Sequence, residues 1–195
     1  MRHVRQMDRS QDAGAAAAVP VVCRSNAGRR QADGSRSDAV WNRINAAVAL
    51  GLSGDQETAR RRFGEIWEEI GRGGDQIQRC IVAHHMADVQ DDPQVELAWD
   101  LRALEAADSI TDEHRNAYPS AYVDGFHPYP SLHLSLAEDY RKIGNLAKAH
   151  EHLAKAREHL GRTGELPNMR PDDKYGMAIR AGLERLTELL DGQIK

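Results

Sequence analysis

Between residues 131 and 161 the chain reads SLHLSLAEDYRKIGNLAKAHEHLAKAREHLG. Leu132, Leu136, Tyr140 and Ile143 recur at helical spacing until Gly144. A second stripe of Leu146, Ala149, Leu153, Ala156 and Leu160 then runs to Gly161, so the stretch reads as two helices joined by a tight turn. Helices joined so closely must pack side by side and antiparallel. Small Ala137 and Ala149 allow close approach, while Tyr140 and Leu153 fill the seam.

The same period extends in both directions. Ser37 or Asp38 is placed to cap a helix carrying Val40, Ile44, Ala47, Val48 and Leu50, ending at the punctuation of Gly51 and Gly54. After Asp55 come Ala59, Phe63, Ile66, Trp67 and Ile70, then Gly71 to Gly74. After Asp75 come Ile77, Cys80, Ile81 and Met86, broken at Asp91-Asp92-Pro93. Pro93 suits the first turn of a fourth helix through Val95, Leu97, Leu101 and Leu104. Beyond the 131–161 pair, Pro171-Asp172-Asp173 opens a last helix. Its Tyr175, Ile179, Gly182, Leu183, Leu186 and Leu190 share one face, opposite Lys174, Arg180, Glu184 and Glu188. No alternating Val/Ile/Thr-rich run suggests a strand.

These positions carry a repeat of about 34 residues. Leu136-Ala137, Tyr140, Gly144, Ala149, Leu153 and Ala156 fall where tetratricopeptide repeats place their Leu, small, Tyr, Gly, Ala, aromatic-or-Leu and Ala residues. Residues 40–73 fit more loosely through Ala47, Leu50, Gly54, Ala59 and Phe63. A degenerate middle unit at 78–111 aligns Leu97 and Leu101 to the Ala and aromatic positions, which sets His84, His85 and Asp88 at the Leu, small and Tyr positions. The chain thus resembles a tetratricopeptide-repeat protein. More narrowly, YPSLHLSLAEDYRKIG and PDDKYGMAIRAGLERL look like uncharacterised proteins of that type from actinobacteria. The resemblance implies an all-α fold of antiparallel helix pairs, stacked as a short solenoid with a C-terminal capping helix over residues 37–195. It also implies a protein-binding scaffold rather than an enzyme.

Composition bounds the function. The 195 residues are 41% hydrophobic and 29% charged, with a net charge of −4 and a pI near 6.1. Nucleic acid and anionic membranes select strongly basic faces, so neither is expected as a partner. No apolar run approaches the roughly 18 residues of a membrane-spanning helix. Residues 1–36 hold seven Arg against Asp8, Asp12 and Asp33, a net +4 that leaves −8 on the remainder. That Ala/Arg/Gly-rich segment buries too little to offset its ordering entropy and reads as a disordered basic tail. Its mildly apolar AGAAAAVPVV lacks the leucine-rich core of a secretory signal. Cys23 and Cys80 cannot build a disulfide framework or a thiolate zinc cluster, which fits a cytoplasmic setting.

Two sets of residues are candidates for function. In the family, the first helix of each pair lines the concave face; here that implies Trp41, Ile44, Val82, Met86, Leu134, Glu138 and Arg141 as contacts to a protein or peptide partner, or to a second copy of the chain. The other set is a pocket. His84 and Asp88 stand four residues apart on one helix face, where a carboxylate can orient an imidazole, and His133 lies on a later first helix. Tyr175 and Arg180 of the last helix could join them under the 109–129 segment, which carries Tyr118, Tyr122, Phe126 and Tyr129. His150, His152 and His159 read as a solvated flank. No phosphate loop, nucleophile elbow or zinc-protease motif occurs, and no cofactor or metal is expected.

Overall fold

The structure is a computed structural model, and it describes residues 33–117, 127–163 and 174–192. The expectations for the tail before residue 33 and for Tyr118, Tyr122 and Phe126 lie outside the described residues. Eight helices are described: α1 (Asp33–Leu52), α2 (Gln56–Ile70), α3 (Gln76–Ala87), α4 (Pro93–Asp108), α5 (Asp112–Ala117), α6 (Pro128–Lys142), α7 (Leu146–Thr163) and α8 (Lys174–Gly192). The described residues include no strand, and none of their helices is long and apolar enough to cross a membrane.

Local chemistry sets most boundaries. Asp55, Asp75 and Asp92 each accept from a backbone N–H of the first turn they precede, at 3.2, 2.9 and 2.8 Å. Pro93 opens α4 in the turn where its missing N–H costs nothing. Between α6 and α7, which are separated by three residues, Gly144 takes φ +80°, which a side chain would resist. Two ends differ from the sequence pattern. Helix α1 starts at Asp33, inside the segment read as tail, and α7 runs through Gly161 to Thr163. Glycine disfavours a helix by only about 1 kcal/mol, which its neighbours outweigh here.

Sequence neighbours are also the packing neighbours: α1 with α2, α3 with α4, α6 with α7, and between pairs α2 with α3, α4 with α6, and α7 with α8. One core cluster spans α1 to α4 and reaches Leu132 of α6. A second joins Leu134, Ala137, Ala149, Leu153 and Ala156 to Ile179, Leu183, Leu186 and Leu190 of α8. Ala137, Ala149 and Ala156 are fully buried, as the close approach of α6 and α7 requires. Lys174, Arg180, Glu184 and Glu188 face outward.

Helix α4 departs from its sequence reading. Leu101, aligned to a buried aromatic position, is 41% exposed, and Val95 is exposed as well. The inner stripe is Leu97, Asp100, Ala103, Ala106 and Ala107. Leu97 and Leu104 face the core as their spacing predicts, while small and charged residues take the inner places expected of Val95 and Leu101.

Candidate functional site

Asp100 is buried at 1% exposure on that stripe, and a carboxylate so placed needs partners. One comes from α3: His84 Nδ1 lies 2.9 Å from Asp100 Oδ1. Burial works against the imidazolium, but the hydrogen bond and charge of Asp100, with Asp88 beyond, outweigh it and lift the His84 pKa to about 9. Burial raises the Asp100 pKa above the ordinary carboxylate value, and the hydrogen bond and charge of His84 oppose that rise.

Helix α6 brings a second buried acid to the same seam. Asp139 is 1% exposed, and neither of its carboxylate oxygens meets an N–H or hydroxyl donor. Burial, followed by the charges of Asp100 and Glu96, pushes its pKa up to about 10. The neutral acid can donate to the Asp100 carboxylate, so this contact is a carboxyl sharing its proton with a carboxylate. Above them Lys142 Nζ reaches both oxygens of Glu96 at 2.7 Å, with Lys142 in the last turn of α6 and Glu96 in the first of α4. Each charge suits the helix end it occupies. Asp88, at the end of α3, accepts from His85 Nδ1 at 3.3 Å rather than from His84. Burial opposes its charge, but that bond and the charges of His84, His85 and Lys142 hold its pKa below the ordinary value. Three helices thus converge on a polar seam of His84, His85, Asp88, Glu96, Asp100, Asp139 and Lys142.

His133 belongs to a different group. Its Nδ1 lies 3.1 Å from Nδ1 of His152 on α7, and its ring centroid is 5.2 Å from that of His152 and 5.3 Å from that of His159. Tyr140 stacks on His152 and Tyr129 on His159. Tyr129 also donates to Asp108 at 3.0 Å. His152 is buried, which corrects the solvated flank expected from sequence: it faces inward between α6 and α7, and only His150 of that set is exposed. Burial, then the charges of His152, His159 and Lys155, lowers the His133 pKa to about 4, and burial lowers those of His152 and His159. The three imidazoles are neutral at pH 7. Among the described residues no group of three or more His, Cys, Asp or Glu is arranged to hold a metal.

The remaining candidates divide by polarity. Trp41, Ile44, Val82, Met86 and Leu134 are buried in the chain's own core. Glu138 and Arg141 stay half-buried and paired, Arg141 Nε and a terminal nitrogen donating to the two Glu138 oxygens at 2.8 and 2.9 Å, with Arg185 of α8 3.9 Å away. Tyr175 donates to the His127 carbonyl at 2.6 Å, and Arg180 folds over Gly176. Sequence reading missed Glu96, Asp100 and Asp139. The available signal was the four-residue spacing of Glu96 and Asp100 on α4, and on α6 an acid, Asp139, on the face of Ser135 and Leu136. Compared with known proteins, the chain matches no family model, no curated protein and no solved structure.

Proposed function

We propose that the chain is a protein-interaction module: a short solenoid of antiparallel, tetratricopeptide-like helix pairs, closed by α8, that receives a partner along the face of its first helices α1, α3 and α6. The observation that carries this reading is the Glu138–Arg141 pair. It is a bidentate, half-buried ion pair on a first helix, with Arg185 of α8 beside it. Because Trp41, Ile44, Val82, Met86 and Leu134 are already buried within the chain, recognition falls to polar groups: Glu138, Arg141, and at the seam His84 and Asp88. The partner is a protein or peptide segment, or a second copy of the chain. The cytoplasm suits the single described cysteine: Cys80 is a free buried thiol whose burial raises its pKa to about 12 and leaves it inert.

Replacing Glu138 and Arg141 together by Ala leaves no buried charge alone. Affinity capture from the source cells, with sedimentation of the purified protein, should show partner or self-association lost at an unchanged melting temperature. Retention of every captured protein and of the sedimentation profile would contradict the reading.

A ligand-binding or enzymatic site is a second reading, favoured by one observation. The seam holds an acid kept neutral beside an imidazole kept charged, a separation of protonation states found at functional sites. On this reading His84 works with Asp100 and Asp139, and Asp88 through His85, while His133 has other partners.

A further inference from the structure

A second feature lies on α2, α3 and α4, away from the polar seam's carboxylates. The Trp67 and Trp99 rings meet edge to face with centroids 5.2 Å apart. The Arg79 guanidinium lies over Trp67 at 3.9 Å and that of Arg102 over Trp99 at 4.5 Å. Both indoles are partly buried against the main core, so the platform is rigid, while Arg102 is exposed. Arg43, Arg60, Arg61, Arg62, Arg141 and Arg185 each meet a carboxylate. Arg79 and Arg102 meet none within ion-pair distance among the described residues, in a chain with an excess of acids. Among the described residues their hydrogen bonds run to the carbonyls of Gly71 and Ala98. Burial lowers the Arg79 pKa from its ordinary value, opposed by the charge of Glu105 and aided by that of Arg72.

A guanidinium held over an indole face keeps N–H donors at its rim available. It has also already given up much of the side-chain freedom that binding would cost. We propose that this Arg–Trp platform binds an acidic segment of a partner protein, whose carboxylates take the open edges of Arg79 and Arg102 while an apolar side chain covers the indoles. Nucleic acid fits less well. It needs a wide basic field, and this chain is acidic overall. The platform uses no residue of the Glu138–Arg141 face, so it stands or falls separately from the function proposed above.

Trp67 and Trp99 supply the readout. The intact protein is titrated with a hexaglutamate peptide and, in parallel, with a short oligothymidylate, following tryptophan emission. The peptide should change emission saturably and less tightly as salt rises, and Arg102→Gln, at an exposed position, should weaken it about tenfold, the value of one charge-assisted contact. The Glu138→Ala/Arg141→Ala protein should bind the peptide unchanged. No saturable response up to millimolar peptide, an unchanged affinity in Arg102→Gln, or tighter binding of the oligothymidylate would overturn the proposal.

Discussion

Asp139 is where burial and charge conflict most sharply. Its proton is bound more tightly in the folded chain than in the unfolded one, so its contribution to stability is complete below its unfolded pKa near 4. That contribution is lost progressively as pH rises toward about 10. Asn has the shape of the protonated acid and nothing to titrate. Asp139→Asn should therefore stabilise the protein at pH 8 by about 1–3 kcal/mol, the cost of one poorly satisfied buried polar group. It should also flatten the decline above neutrality. Melting curves of both proteins across pH check this, and a variant whose stability declines above neutrality as steeply as the natural protein's would contradict the raised Asp139 pKa. The partner-removing change tests the other side: Asp100→Ala should be costly, because it strands His84 in a buried site.

At the scale of the helix, α8 closes the second core cluster. Gly182 permits its contact with α6, since a Cβ there would stand 2.6 Å from Leu134 Cδ2. Gly182→Val should cost about 1–3 kcal/mol through overpacking, read by denaturant unfolding. Ending the chain at Arg170 removes Ile179, Leu183, Leu186 and Leu190, each worth roughly 1.5–3 kcal/mol when buried. The truncated protein should be insoluble or lack a cooperative transition, and sharp melting near the full-length temperature would contradict the packing described for α8. Helix ends were legible in the sequence because their causes are local: Asp55, Asp75 and Asp92 cap within three residues, and Pro93 and Gly144 act on their own backbone. The polar seam was not. Asp100 lies 16 residues from His84 and Asp139 comes from another helix pair, so periodicity placed His84 beside Asp88 and put Val95 and Leu101 of α4 inside where Asp100 and small residues stand. His152 was misread for the same reason: a polar residue on a charged helix gives no sign that His133 waits across the seam.

Across the whole molecule the two titratable groups pull stability in opposite directions with pH. His133, His152 and His159 have lowered folded pKa values, so the unfolded chain takes up protons first and stability falls as pH drops from about 6.5 toward 4. His84 has a raised one: its contribution is whole below about 6.5 and disappears as pH rises through about 9, in the range where Asp139 also loses stability. Melting temperature should accordingly peak between slightly acid and neutral pH. Replacing His133 and His152 together by Gln should shallow the acid limb alone. The central claim, that a fixed charged pair on the first-helix face selects a partner, is tested most directly by reversing the pair without breaking it. A protein carrying Glu138→Arg, Arg141→Glu and Arg185→Glu keeps opposite charges at all three positions and should melt as the natural sequence does. Quantitative capture from the source cells should then find its partner lost, or sedimentation should find its self-association lost. A reversed pair that holds the same partner with the same affinity would contradict the claim.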